Sequence, residues 1–277
     1  MTAPSHRIGI DFISFFKESP TDIVKIAAKL GCRHVSMALE PMSTGKISCE
    51  PWSLRTDKAL RRDLLQALKD HHVDIAMGEC YIIKPGEDFR KTARPDLEIM
   101  HELNIKRANI VSIDQDFSRT VDQCGVLVEI AESLGMNTTL EWGPFMGISN
   151  LQSALSVLEA INRPHFRLVI DAMHFFRSGA TVEDLAKLDP NQIGYVQLCD
   201  VPLTSKYEHY MYEARFERLA PGQGELPLRD FLKAAPHDTI IGLEIPMLAQ
   251  TLAGVEPYER MLGAVTATQA LLDSIHH

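Results

Sequence analysis

The segment LVIDAMHFF, Leu168 to Phe176, runs an apolar stretch into Asp171 and sets His174 three residues later. A carboxylate and an imidazole at a strand end suit cation binding or proton transfer, although a lone boundary aspartate also serves as a helix cap. Three more stretches repeat the pattern. TTLEWGPF meets Glu141, YVQLCD carries Gln197 and then Asp200, and IGLEIP carries Glu244. Each alone reads equally well as a solvated charge. Together, embedded in apolar sequence, they crowd like charges, and a bound cation is the usual remedy.

The elements that must position these residues follow from periodicity. Apolar, β-branched runs predict strands at Arg7–Phe12, Arg33–Leu39, Val73–Gly78, Arg107–Ile113, Asn137–Trp142, Arg167–Asp171, Gly194–Cys199 and Thr239–Ile245. Helical spacing fills the intervals. Ile23, Ala27 and Leu30 follow Ser19-Pro20 and stop at Gly31, and Leu60, Leu64 and Leu68 share a face. Val126, Ile130 and Leu134 precede Gly135, Leu151, Leu155 and Leu158 follow Ser149, and Thr181 with Asp184 forms a capping box. Eight strand-helix alternations without a linker predict parallel strands with crossover helices. The 277 residues and the strand count predict an α/β fold, a single (β/α)8 TIM barrel spanning 1–277. A doubly wound sheet is the alternative, but Gly9-Ile10-Asp11-Phe12 stands where a GxGxxG turn would follow the first strand. A barrel gathers its chemistry at the C-terminal ends of its strands, which is where Glu141, Asp171, Gln197 and Glu244 lie.

These residues, with RLAPGQGEL from Arg218 to Leu226, resemble the xylose-isomerase-like TIM barrels. That superfamily contains sugar isomerases and ketose 3-epimerases, inosose dehydratases and isomerases, 3-dehydroshikimate dehydratases and endonuclease IV. The resemblance implies a divalent ion held by Glu141, Asp171 and Glu244, with His174 and Arg218 contacting substrate. Gln197 departs from the pattern by standing where the epimerases carry a strand-seven His. With it the donor set becomes all oxygen, which favours Mn²⁺ or Mg²⁺ over Zn²⁺. Asp200 is the rival strand-seven ligand, ranked second because alternation turns it from the face of Gln197.

The implied activity is a metal-dependent isomerase or epimerase of a sugar-like hydroxy-carbonyl compound in carbohydrate metabolism. Glu141 and Glu244 would move a carbon-bound proton through a metal-stabilised cis-enediolate, with His174 and Arg218 steadying the oxygens. The alternative is a lyase or dehydratase that completes a β-elimination on a cyclic keto-polyol, keto-acid or 3-keto-glycoside. A zinc-dependent abasic-site nuclease would need more His ligands and a basic cleft.

Other candidates carry plainer readings beside the functional one. His174 could donate to a loop carbonyl, and Arg218 lies near Arg215 and Glu217 in a charged loop. Gly222 and Gly224 permit close backbone approach to a ligand, but PGQG lacks the GK[ST] ending of a phosphate loop. Glu40 and Glu79 end strands two and three. Glu79, between apolar neighbours, is the better candidate to reach substrate across the mouth, and Cys80 reads as a packed thiol. Large apolar residues follow the strands: Phe12, Phe15 and Phe16, then Trp142, Phe145 and Met146, then Phe175 and Phe176. They predict packing between loops, a homo-oligomer contact across the mouth, or a ring-faced substrate, with Trp142 a substrate contact in the last case.

Composition narrows the partners. Net charge −9 and scattered basic pairs (Arg61-Arg62, Arg90-Lys91, Lys106-Arg107) predict no nucleic-acid footprint. The five cysteines form no CxxC and suit buried thiols of a reducing compartment. With no signal peptide and no apolar run of membrane length, the expectation is a cytoplasmic protein free of membrane. The terminal His276-His277 pair is set aside from site reasoning.

Overall fold

In a computed structural model of the chain, residues 6–42 and 45–275 are described, so His276 and His277 lie outside. Eight strands form a closed, all-parallel barrel in sequence order, with β1 completing the circle against β8. They are β1 (Ile8–Ile10), β2 (His34–Ala38), β3 (Asp74–Ile83), β4 (Arg107–Ser112), β5 (Asn137–Leu140), β6 (Phe166–Asp171), β7 (Ile193–Leu198) and β8 (Ile241–Leu243). The predicted (β/α)8 barrel is thus the observed fold, and all eight strands overlap their expected positions, although β3 runs on to Ile83 and so contains Glu79 rather than ending at it.

Strands one to five are followed by one long helix each: α1 (Pro20–Lys29), α2 (Lys58–His71), α3 (Phe89–Glu102), α4 (Phe117–Ser133) and α5 (Leu151–Ile161). Their boundaries have local causes. The Ser19 side chain caps α1, with Pro20 at its first position, and Asn150 with Ser153 forms a capping box for α5. The next three intervals are split. Helices α6 (Ala172–Arg177) and α7 (Val182–Lys187) follow β6, α8 (Tyr210–Phe216) and α9 (Leu228–Ala234) follow β7, and α10 (Leu248–Leu252) and α11 (Pro257–Ile275) follow β8. The Thr181–Asp184 capping box starts α7 as its spacing predicts. Where one crossover helix was expected after β6 and β7, short pieces instead leave chain free to fold over the barrel mouth.

Strand alternation creates two cores. One face of each strand packs on the helices, as where Leu64 and Leu68 of α2 and Ile23, Val24 and Ala27 of α1 are buried. Full burial of such a side chain contributes about 1.5–3 kcal/mol. The other face fills the barrel lumen, where Ala76, Met77, Val169 and Tyr195 form a separate apolar cluster. Two residues further along three of those strands, the same inward face carries Glu79, Asp171 and Gln197. Gly242 of β8 also faces the lumen, because a Cβ there would lie 2.3 Å from Asp11 Oδ1 and 2.4 Å from the Tyr195 hydroxyl.

Candidate active site at the barrel mouth

The four predicted strand-end groups come together. Glu141 follows β5, Asp171 ends β6, Gln197 lies in β7 and Glu244 follows β8, all buried at the C-terminal end of the lumen. Asp171 and Gln197 are paired residues of adjacent strands, and Glu244 N donates to Leu198 O.

Arg218 stands among them, buried. Its Nη1 lies 2.6 Å from Asp171 Oδ2 and 2.7 Å from Glu244 Oε2, while Nε donates to Ala214 O. The chain reaches this point because Arg218 N bonds to Pro246 O and Leu219 pairs with Asp200. Arg218 therefore grips two site carboxylates.

The second oxygen of each group is held from a different side. Asp171 Oδ1 accepts from His174 N at 2.6 Å, capping α6, so the cap reading and the site reading of Asp171 both hold. Glu244 Oε1 accepts from Gln197 Nε2 at 2.8 Å. That fixes the amide's orientation and leaves Gln197 Oε1 buried without a hydrogen-bond partner. Glu141 Oε2 accepts from Asn109 Nδ2 at 2.7 Å, and its Oε1 lies 3.5 Å from His174 Nε2.

Sequence reasoning missed three contributors. Asn109 orients Glu141 and receives a hydrogen bond from Thr139 Oγ1 at 3.1 Å. Asp11 follows β1 with its Oδ1 accepting from the Tyr195 hydroxyl at 2.7 Å and its Oδ2 buried and unpartnered. The Tyr210 hydroxyl, from α8, hydrogen-bonds His174 Nδ1. Asn109 and Asp11 carried the same signal as Asp171, a polar residue breaking an apolar strand. Tyr210 carried none, since its place depends on how the segment after β7 folds back.

Electrostatics follow from five carboxylates facing one guanidinium. Burial raises Glu79 to about 8, reinforced by Asp11 and Glu141. Burial likewise lifts Glu141 to about 7, with Asp171 adding to the rise and Asn109 opposing it. Asp11 is pushed to about 6, chiefly by burial. Glu244 is driven well above the ordinary carboxylate range by burial, which outweighs the attraction of Arg218. Asp171 is the exception. Burial would raise it, but Arg218 and the His174 N–H outweigh that, and it stays below the usual range. Burial holds His174 down to about 4, so its ring is neutral near pH 7. Asp171 and Arg218 thus form the fixed ion pair, and Glu141 is poised to exchange a proton near neutrality.

The plainer readings hold for several residues. Both oxygens of Asp200 are taken by backbone N–H groups: Oδ1 by Val201 and Leu226, Oδ2 by Gly222. A Cβ on Gly224 would lie 2.3 Å from Asp200 Oδ1. The PGQG glycines therefore wrap Asp200 rather than approach a ligand, and Asp200 is not left free to bind one. Glu40 turns outward to Arg55 at 2.6 Å. Trp142 is 1% exposed, packs edge-on to Phe175 and donates from Nε1 to Ser178 Oγ, which places it in the loop packing rather than facing the mouth. Phe12, Phe15, Phe16 and Phe175 are also buried, so packing accounts for most of the aromatic residues. Cys32, Cys124 and Cys199 are buried as expected, but Cys80 is exposed, not packed. The last residues of β3 alternate, with Cys80 and Ile82 exposed and Tyr81 and Ile83 buried.

The donor set suits a hard divalent cation in type and charge. Gln197 presents an unpartnered amide oxygen, Glu141 Oε1 has only the distant imidazole, and the carboxylates outnumber the one guanidinium. Arg218 already engages Asp171 and Glu244, and among the described residues no three His, Cys, Asp or Glu are grouped closely enough to hold a metal ion by themselves. A cation held by Glu141, Asp171 and Glu244 would therefore have to displace Arg218 and draw these carboxylates closer together. None of the described helices is long and apolar enough to cross a membrane.

Comparison with known proteins places the chain among its relatives. The sequence model of a family described as xylose isomerase-like TIM barrel matches residues 24–261. An inosose isomerase of Bacillus subtilis (strain 168) is 28% identical over 120 residues, 42% of this chain and 41% of that protein. The chain thus matches less than half the length of that relative. The structure of an IolI protein with a bound zinc atom superposes with TM-score 0.79 at 17% identity, covering 97% of this chain and 99% of that one. A probable 3-DHS dehydratase, AsbF from Bacillus anthracis, superposes with TM-score 0.75 at 17% identity over 95% and 98% of the two chains. At such identities the structural likeness establishes the fold alone.

Proposed function

The chain belongs to the xylose isomerase-like TIM barrel family, and from that membership and its rim of buried carboxylates we propose a divalent-metal-dependent enzyme that moves a proton at carbon beside a carbonyl of a sugar-like substrate. The observation that carries the reading is the Gln197 amide oxygen, buried and unpartnered amid Glu141, Asp171 and Glu244. These four residues would hold the ion, and their all-oxygen set favours Mn²⁺ or Mg²⁺ over Zn²⁺. When bound, the ion supplies Lewis-acid stabilisation of charge on adjacent substrate oxygens.

The chain's own residues supply the rest. Glu141, whose carboxyl burial raises to about 7 in the ion-free site, is the group assigned to take up the carbon-bound proton and return it. Asn109 fixes which Glu141 oxygen is engaged, leaving Oε1 toward His174. Glu244, which burial raises above the ordinary carboxylate range in the ion-free site, serves as the proton donor on the other side. Neutral His174, oriented by Tyr210, donates or accepts a hydrogen bond without adding charge. Arg218 balances the negative charge of an enediolate. Isomerisation or epimerisation follows if the proton returns to carbon. Elimination of a β-substituent gives the lyase alternative, which the same residues serve.

The test is deuterium wash-in. Keto-inositols, ketohexoses and a cyclic keto-acid, incubated with Mn²⁺-loaded protein in D₂O, should gain deuterium at the carbon beside the carbonyl. Glu141→Gln should slow that exchange by roughly 10²–10⁴-fold. Exchange that is unaffected by the substitution would overturn the role of Glu141.

A further inference from the structure

Of the aromatic residues that the sequence places after strands one, five and six, Phe145 remains outside the loop packing. Phe145, on the loop after β5, is 80% exposed and has φ of +69°. A turn closed by Met146 N to Gly143 O places it at the third position, where a bulky L-residue is strained and Gly or Asn is usual. The loop is not loose around it. Met146 and Ile148 are buried, and Gly147 N bonds to Ser112 O at 2.7 Å. A rigid loop therefore turns a large apolar ring into water at a strained position, the kind of feature that points to use at a site.

The ring has a direction. Phe145 lies 5.6 Å from the ring of Tyr210, and Tyr210 lies 5.7 Å from the ring of His174. His174 in turn faces Glu141. Tyr210 is held in place from its own helix: Glu213, buried, pairs with Arg177 at 3.2 Å, and Arg177 Nη2 also donates to Pro202 O. Phe145 and Tyr210 thus form a pair of neighbouring rings, and Tyr210 also neighbours the His174 ring that faces Glu141.

We propose that Phe145 and Tyr210 form a stacking subsite for a ring attached to the reacting keto-sugar, so that the substrate is a glycoside or other ring-bearing derivative rather than a free small sugar. The inference rests on the sugar-like reading of the active site. Polar groups of the reacting portion go to the carboxylates, His174 and Arg218, and the attached ring lies against Phe145.

The test compares phenyl β-D-glucopyranoside with methyl β-D-glucopyranoside, which share the polyol and differ in the ring, by NMR titration of the Mn²⁺-free and Mg²⁺-loaded full chain. The wild type should bind the phenyl glycoside more tightly by roughly three- to tenfold. Phe145→Ala should bring the ratio close to one, while Tyr210→Phe, which keeps its ring, should preserve it. Equal affinities in the wild type would overturn the subsite and leave the sugar reading standing. Failure of both glycosides to bind would sink the sugar reading and the subsite together. A Phe145→Ala variant that keeps the ratio but loses a dimer by light scattering would assign the ring to a second copy of the chain and overturn the proposal.

Discussion

Arg218 and Asp171 are joined at 2.6 Å with both side chains buried, and the same Arg218 nitrogen lies 2.7 Å from Glu244. One guanidinium thus holds residues from β6 and from the end of β8, two strands apart in the barrel. Removing it leaves two buried carboxylates uncompensated. Arg218→Ala should destabilise the metal-free protein by about 3–5 kcal/mol in urea unfolding at pH 7.5. Mn²⁺ should recover part of that loss, because the freed oxygens become available to a cation. An unchanged unfolding midpoint would show that Arg218 does not neutralise the rim.

The carboxylates make stability depend on pH. Glu79 and Glu141 have folded values of about 8 and 7, above their ordinary range. The unfolded chain loses those protons at lower pH, so their protonated forms favour folding below about pH 5, and the contribution disappears as pH rises through 7 to 8. The melting temperature of metal-free protein should therefore fall between pH 5 and 8.5. Saturating Mg²⁺ should flatten that slope, and differential scanning fluorimetry with and without EDTA reads both. A metal-free melting temperature that rises over this interval would contradict the raised values.

The strand-seven residue tests the ion's chemistry. Gln197→His replaces an amide oxygen by an imidazole and should shift preference from Mg²⁺ or Mn²⁺ towards Zn²⁺ by about tenfold or more in competition dialysis. Asp200→Asn, by contrast, leaves metal affinity unchanged and weakens the loop by about 1–3 kcal/mol, because its acceptors serve Val201, Gly222 and Leu226. A metal profile that moved with Asp200 instead would reverse the two roles.

Much of this architecture is legible in the chain because strand periodicity is simple. Asp171, Gln197 and Glu244 fall where an apolar run meets a polar group, and a parallel barrel must bring such ends to one rim. Asp11 and Asn109 carry the same signal, a polar residue breaking an apolar run, after β1 and within β4. The roles of Tyr210 and of Gly222 with Gly224 were not legible. Each depends on how the chain between β7 and β8 folds back, and no local spacing encodes that return path. Trp142 shows the converse. Its neighbour Glu141 faces the lumen, so the next side chain along the strand turns into the packing against Phe175.

The central claim is an oxygen-ligated divalent cation at the barrel mouth, and elemental analysis of protein purified without chelator tests it most directly. The account predicts one Mn²⁺ or Mg²⁺ per chain, retained through gel filtration and lost in Glu244→Gln. A chain that holds no ion, even after incubation with Mg²⁺, Mn²⁺ and Zn²⁺ in turn, would contradict it and leave Arg218 as the only cation its carboxylates require.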